Sequence, residues 1–201
     1  VPERLIYDLW FPRDVKSIWV VCPQIEEPGE FARRGSLDYT YLDNLGDTDS
    51  LLEVMVFLSK YYPLATIEKF SSRDLPIGLT NGNLVVIGGP GTPESINNHL
   101  AKSMMEAVNS RIRYSKDCDC MLLKTGDKET EFTAKSVNDE EETGDDRFNL
   151  FMDYGYYSRF KNPANKNNHV ICINGIHTSG VLGAVCAFSN NPEALYNYQV
   201  V

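Results

Sequence analysis

Leu84-Val-Val-Ile-Gly-Gly-Pro-Gly-Thr-Pro93 is the stretch that decides the fold. Four apolar residues run without a polar interruption, and three of them are β-branched. Such a run reads as a strand buried on both faces, the habit of a central strand in a parallel sheet. The glycine-rich turn closes it. Thr92 then offers an N-cap and Pro93 the favoured first position of a helix running to about Asn109. Strand, tight turn and helix in direct succession are the building unit of an α/β fold.

Two other segments repeat this pattern. Ser17-Ile-Trp-Val-Val-Cys22 is a short apolar run closed by Pro23. Val170-Ile-Cys-Ile173 runs into Asn174-Gly-Ile-His-Thr-Ser-Gly180, and Val181 to Phe188 reads as a short buried helix. After the first run comes a long segment without a clean period, Gln24 to Leu45, of a length that is uncommon unless it is functional or mobile. A second helix opens among Asp47, Thr48, Asp49 and Ser50. Any of these suits the N-cap, and Ser50 with Glu53 matches a capping box. Leu51, Leu52, Met55 and Leu58 give it an apolar face, and Tyr62-Pro63 stops it. Thr66 to Phe70 is a weaker strand. Cys120 to Leu123 and Glu129 to Lys135 flank Thr125-Gly126-Asp127 as hairpin strands, and Phe148 to Phe160 is an aromatic-rich strand region. The whole reads as a three-layer, Rossmann-like α/β fold. It has a mostly parallel central sheet and some antiparallel strands at one side. One domain over 1–201 is expected, with an acidic loop or hairpin insertion at about 125–147.

Composition excludes several classes. The 201 residues are 42% hydrophobic and 23% charged, as in an ordinary globular chain. The net charge is −9, and nine acids against two bases between Asp127 and Asp146 account for −7 of it. A near-neutral scaffold with one acidic excursion lacks the basic face that nucleic-acid phosphates require. No window approaches the roughly 18 apolar residues of a membrane span, and no signal peptide is visible. Val1 in place of Met fits a piece of something longer; attachment to further domains and homo-oligomerisation both stay open. The five cysteines are an odd number, and Cys118-x-Cys120 has no second Cys/His pair at zinc spacing. A reducing, cytoplasmic setting is therefore expected, with no metal and no cofactor.

The expected site lies where strand ends meet glycine turns, because open parallel sheets bind ligands at the carboxyl ends of their strands. Gly88, Gly89, Gly91 and Thr92 form one turn; Gly175, Thr178 and Ser179 belong to the other. Free N–H groups at the two helix starts suit a phosphate or another anion. The Gly88 turn is neither G-x-G-x-x-G nor a P-loop. Asp47, Asp49 and Glu94 are the candidate acids, able to hold a ribose or support glycosidic cleavage, with helix capping or dipole stabilisation as their ordinary alternative. His177 is the one histidine on a ligand-facing turn, able to donate to a phosphate or carry a proton. Cys22 ends its strand facing the expected cleft, and Arg159 is a further residue able to reach an anion. No nucleophile-elbow spacing is present.

The segments Leu84–Thr92, Asp153-Tyr-Gly155 with Arg159, Asn162-Pro163, and Gly175-Ile-His-Thr-Ser-Gly180 with Gly183-Ala184 together resemble a largely uncharacterised group of bacterial Rossmann-like domains. In that group a GGP turn, a DYG…NP strand-turn and a G-x-H-T-x-G turn recur in this order. Separately, Gly88-Gly-x-Gly-Thr92 is similar to the phosphate-binding turn of the SLOG superfamily. That superfamily includes the cytokinin-activating phosphoribohydrolases, which cut nucleotide N-glycosidic bonds. Their pattern has a glutamate three residues after the threonine. Ser95 stands there in this chain, with the glutamate one residue earlier at Glu94. The resemblance implies a nucleotide-binding domain with nucleosidase or NAD-glycohydrolase-like activity. A nucleotide sensor or effector module without turnover, or an interaction domain, is the alternative.

Overall fold

The computed structural model describes residues 3–23, 47–89, 98–115, 117–118, 120–138 and 148–190. Among them the order is α1 (Glu3–Leu9), β1 (Ser17–Cys22), α2 (Thr48–Tyr61), β2 (Thr66–Ser71), β3 (Leu84–Ile87) and α3 (His99–Ala107). There follow β4 (Ile112–Ser115), β5 (Cys120–Thr125), β6 (Lys128–Thr133), β7 (Lys135–Asn138), β8 (Phe148–Met152), β9 (Gly155–Asn162), β10 (Asn165–Gly175) and α4 (Thr178–Asn190). Among the described residues a 3-10 turn spans Ile77–Leu79.

The main sheet has five strands in the order β2-β1-β3-β10-β9. The first four are parallel, and β9 joins the edge antiparallel to β10. The expected α/β fold with a mostly parallel sheet and antiparallel strands at one side is thus what the chain forms. Alternation along the strands explains their unbroken apolar runs. Ile18, Val20, Cys22, Val85, Ile87, Ile171 and Ile173 pack one face, with Leu51, Val54 and Leu58 of α2 and Val181 and Val185 of α4. Leu84, Val86, Val170 and Cys172 face the other way, onto Ala101 and Met104 of α3. Neither face meets water, so neither set of alternate positions carries a charge. Each fully buried aliphatic contributes about 1.5–3 kcal/mol relative to exposure.

The short α1 is tied across the first of these faces. Trp10 and Phe11 are fully buried. The Trp10 ring centroid lies 4.4 Å from that of Phe57, and its Nε1 donates to the Phe188 carbonyl at 3.2 Å. The Tyr62 hydroxyl donates to the Phe11 carbonyl at 2.8 Å and accepts from the Phe11 N–H at 3.0 Å. Arg159, considered for an anion, instead donates Nε to the Trp10 carbonyl at 2.6 Å. It supplies one of the acceptors at the end of α1 with a charged partner.

Between α3 and β9 the chain builds two small antiparallel sheets, β4-β5-β6 and β7-β8. The β5–β6 turn falls at Gly126-Asp127, as read from the sequence. The aromatic stretch expected as one strand region breaks at Asp153-Tyr154 into β8 and β9. The helix expected from Thr92 or Pro93 begins at His99, and Asn98 is its N-cap. Asn98 is extended (φ −95°, ψ 99°), and its side chain accepts from the Leu100 and Ala101 N–H groups. The same amide donates to the Ile87 carbonyl at 2.7 Å and the Val21 carbonyl at 3.1 Å. That bridge ties the start of α3 to the ends of β1 and β3; Thr92 and Pro93 lie outside the described residues.

Candidate functional site

The strand order reverses at β1, which has β2 on one side and β3 on the other. The carboxyl ends of β1 and β3 therefore lie at the position where open sheets bind ligands. Gly88 stands at its edge. Its φ is +79°, and a Cβ there would lie 2.5 Å from Pro23 Cγ and 2.7 Å from Asp47 Oδ2. Only glycine combines that backbone with that closeness. The Gly88 N–H donates to the Ile173 carbonyl at 2.9 Å. Gly89 lies against Asn174, whose Cβ would be 3.6 Å from a Cβ placed on Gly89. Asn174, with its amide nitrogen facing the carbonyls, donates to Gly88 at 2.8 Å and to Ile173 at 3.1 Å. The turns after Ile87 and Ile173 thus share one rim, which also takes in Pro23 and the start of α2.

Asp47 gives this rim its chemistry. It holds the N-cap position of α2, and its carbonyl accepts from the Leu51 N–H at 2.9 Å. Its side chain does no capping. The backbone is left-handed (φ 52°, ψ 39°), an arrangement that costs a non-glycine residue roughly 1–2 kcal/mol. That conformation turns the carboxylate away from the helix amides and onto the rim beside Gly88. Burial pushes its pKa from 3.8 up to about 6, partly offset by a hydrogen bond from Thr178. The expected capping box also dissolves, since Ser50 lies inside the helix and is fully buried.

Cys22 is not an activated nucleophile. It is fully buried in the core, and burial together with the Asp47 charge pushes its thiol up to about 12. A thiol so held is almost wholly protonated at neutral pH.

The second turn is partly occupied from within the chain. The Asp153 carboxylate accepts from the His177 N–H at 3.3 Å and from the Gly180 N–H. Its other oxygen accepts from the Tyr154 N–H at 2.8 Å. Asp153 therefore fills part of the anion position at the start of α4. The glycines of this motif serve close packing. A Cβ on Gly175 would collide with the Val181 nitrogen, and one on Gly155 with the Gly180 carbonyl. The D-Y-G and G-x-H-T-x-G segments are thus two halves of one tightly fitted joint. Thr178 and Ser179 lie exposed on the first turn of α4, and the imidazole of His177 faces solvent. Asp49 is exposed on the first turn of α2. Gly91, Thr92 and Glu94 lie outside the described residues.

Two site features went unread in the sequence, Asp153 as a cap and Asn98 as a bridge. Asn98 carries a local N-cap signal, ahead of Ala101, Met104 and Met105 at helical spacing. Asp153 is 24 residues before the turn it serves, and no local signal finds it. A separate groove of about 470 Å³ is lined by Lys102, Met105, Glu106, Asn109, Arg113 and Tyr114, among others, between α3 and β4. Its floor touches the rim through Met105, whose sulfur lies 3.2 Å from the Asn174 amide nitrogen in the other amide orientation. No helix among the described residues is long and apolar enough to cross a membrane.

No protein-family model matches the chain, and no curated protein matches it.

Proposed function

We propose that the rim around Asp47 binds a nucleotide or a closely related phosphorylated riboside and cleaves its N-glycosidic bond. The arrangement is read as a three-layer, Rossmann-like sheet, because helices cover both faces and the strand order reverses at the rim. One observation carries the functional reading: Asp47 spends backbone strain and burial on holding its carboxyl beside a glycine turn, where it stabilises no helix end.

The chemistry follows from that carboxyl. With a pKa of about 6, both its forms are populated near neutral pH. In the protonated form it gives its proton to the departing base nitrogen as the bond to C1′ breaks. Water adds to C1′, and its proton returns to Asp47. The ionised form steadies the developing positive charge on the sugar. Thr178 holds the carboxyl in place and lies beside the sugar hydroxyls. Asp153 already occupies amides of α4, so the phosphate is assigned to the Gly88–Thr92 turn, on its resemblance to a phosphate-binding turn. Glu94 and His177 are the remaining candidates for assisting groups.

A binding-only module is the second reading. It is favoured by the raised thiol of Cys22 and the solvent-facing imidazole of His177, neither of which supplies Asp47 with a partner base. Incubation with NAD, AMP and deoxynucleosides, followed by chromatography of the released base, separates the two. Release that falls at least a hundredfold in Asp47→Asn and is unchanged in Asp49→Ala supports cleavage. No release, with a thermal shift induced by a nucleotide, supports binding alone. Neither release nor shift at millimolar nucleotide overturns both.

A further inference from the structure

Cys118 and Cys120 form a disulfide on the β4-β5-β6 sheet, where the sequence alone leads to the expectation of a reducing setting. As a staple this bridge does little. It joins residues two apart, and so short a loop removes only about half the chain entropy of a 15-residue one. Its surroundings suit a different use. Cys120 pairs with Thr133 across the β5–β6 ladder, and Leu122 pairs with Glu131. Residues two apart share a face, so Glu131 stands on the Cys120 side, one rung along. The two Sγ atoms and a Glu131 carboxylate oxygen all lie within 4.8 Å of one another. Glu131 is already oriented, because its Oε1 accepts from the Thr133 hydroxyl at 2.9 Å. Among the described residues no lysine or arginine pairs with it; the nearby Arg113 is paired with Glu129 instead.

We infer that, once reduced, Cys118, Cys120 and Glu131 bind a thiophilic divalent cation of the zinc class, and that disulfide and metal are alternative occupants of this position. A tetrahedral zinc ion with bonds of about 2.3 Å to sulfur sets its two sulfurs about 3.8 Å apart, so the sulfurs, bonded to each other in the disulfide, separate to that distance on reduction. Three protein ligands leave a fourth position open, on the side where Cys118 is half-buried and Glu131 exposed. The cation also offsets three negative charges that would otherwise crowd one another. A dithiol reductant opens the bridge by exchange, becoming a disulfide as Cys118 and Cys120 become thiols. The ion then displaces both thiol protons to solvent. The sequence hid this site because its third donor lies across a hairpin rather than at a zinc-motif spacing.

Cobalt(II), added alone to the full chain reduced with a phosphine, is the probe. One equivalent is expected to give thiolate-to-metal charge-transfer absorption, to be displaced by zinc, and to shield two thiols from a thiol reagent. The affinity rises with pH as two protons leave. The oxidised chain gives no such band. Glu131→Gln, on an exposed side chain, weakens binding at least tenfold with the fold intact. The double variant Cys118→Ser, Cys120→Ser abolishes the band while Cys22, Cys172 and Cys186 remain. No band in the reduced protein, an undiminished affinity in Glu131→Gln, or a band that survives in the double variant or the oxidised chain overturns the assignment.

Discussion

Replacing Asp47 by Asn should make the protein more stable at pH 8 and leave it nearly unchanged at pH 4. The folded state holds the Asp47 proton more tightly than the unfolded chain does, with a pKa of about 6 against 3.8. The native state therefore binds the extra proton between those values, and stability falls as pH rises through them. Above about pH 7 the whole cost of a half-buried charge is present. About two tenfold steps of proton affinity, at roughly 1.4 kcal/mol each, amount to about 3 kcal/mol. Residual solvent at the rim makes that an upper figure. Asn carries no charge, fills the same volume and adopts the left-handed backbone at least as readily as Asp. Urea unfolding of both proteins at pH 4 and pH 8 measures the term. At pH 8 the variant should be up to about 3 kcal/mol more stable, or roughly 6–12 °C in Tm for a chain of this size. A variant no more stable than the parent at pH 8, or a difference that is the same at both pH values, refutes the account of Asp47 as a carboxyl held against its own solvation.

Asn98→Ala should cost about 3 kcal/mol, because it strands the carbonyls of Val21 and Ile87 and uncaps α3 together. Asn98→Asp keeps the acceptor for the helix but turns a carboxylate onto those two carbonyls, so a loss at least as large is expected; urea midpoints at constant m decide, and a variant within about 0.5 kcal/mol of the parent contradicts the bridge. Asp153→Ala should lower stability by about 2 kcal/mol by the same measurement, since it frees the Tyr154, His177 and Gly180 amides at once. His169 should titrate near 4 by NMR, because burial and the charges of Arg159 and Lys161 disfavour its protonation. Its folded pKa lies below the unfolded one, so the stability it contributes at neutral pH is lost as pH falls from about 6.5 toward 4; titration near 6.5 would show that the ring is solvated.

What the sequence made legible was whatever is fixed by periodicity. Val85 and Ile87 pack with α2 and α4 and Leu84 and Val86 with α3, so no position in β3 tolerates a polar residue, and the run announces a central strand. The same holds for Val20 to Cys22 of β1 and Val170 to Ile173 of β10. The α2 helix was equally plain as a helix but not in its face: of Leu51, Leu52, Met55 and Leu58, Leu52 is 64% exposed, and the buried side is Ser50, Leu51, Val54, Phe57 and Leu58, because Val54 to Leu58 is apolar all round and leaves the orientation to packing. Seven residues of α1 give too few turns for a period to show; that helix exists through Trp10, Phe11 and their partners in α2, β9 and α4. The β4 strand likewise depends on its pairing with β5, not on any strong pattern of its own.

The candidate site was legible as a place and illegible as a set of roles. Glycine turns after buried strands mark the rim, because strand ends and helix starts are local properties. Roles depend on which distant group each side chain meets. Asp47 sits at an N-cap, and sequence logic assigns its carboxylate to the helix amides. A rotation into the left-handed region gives the same residue to Gly88 and Thr178 instead. His177 and the amides around it look like an anion cradle until Asp153, brought in by β9, is placed among them. The two acids have exchanged the functions their positions suggest: the one at a cap position does not cap, and the one on a strand end does. Such an exchange is paid for with strain at Asp47. The α2 helix gains no side-chain cap from that strain, which is why the proposed function looks for its return at the rim.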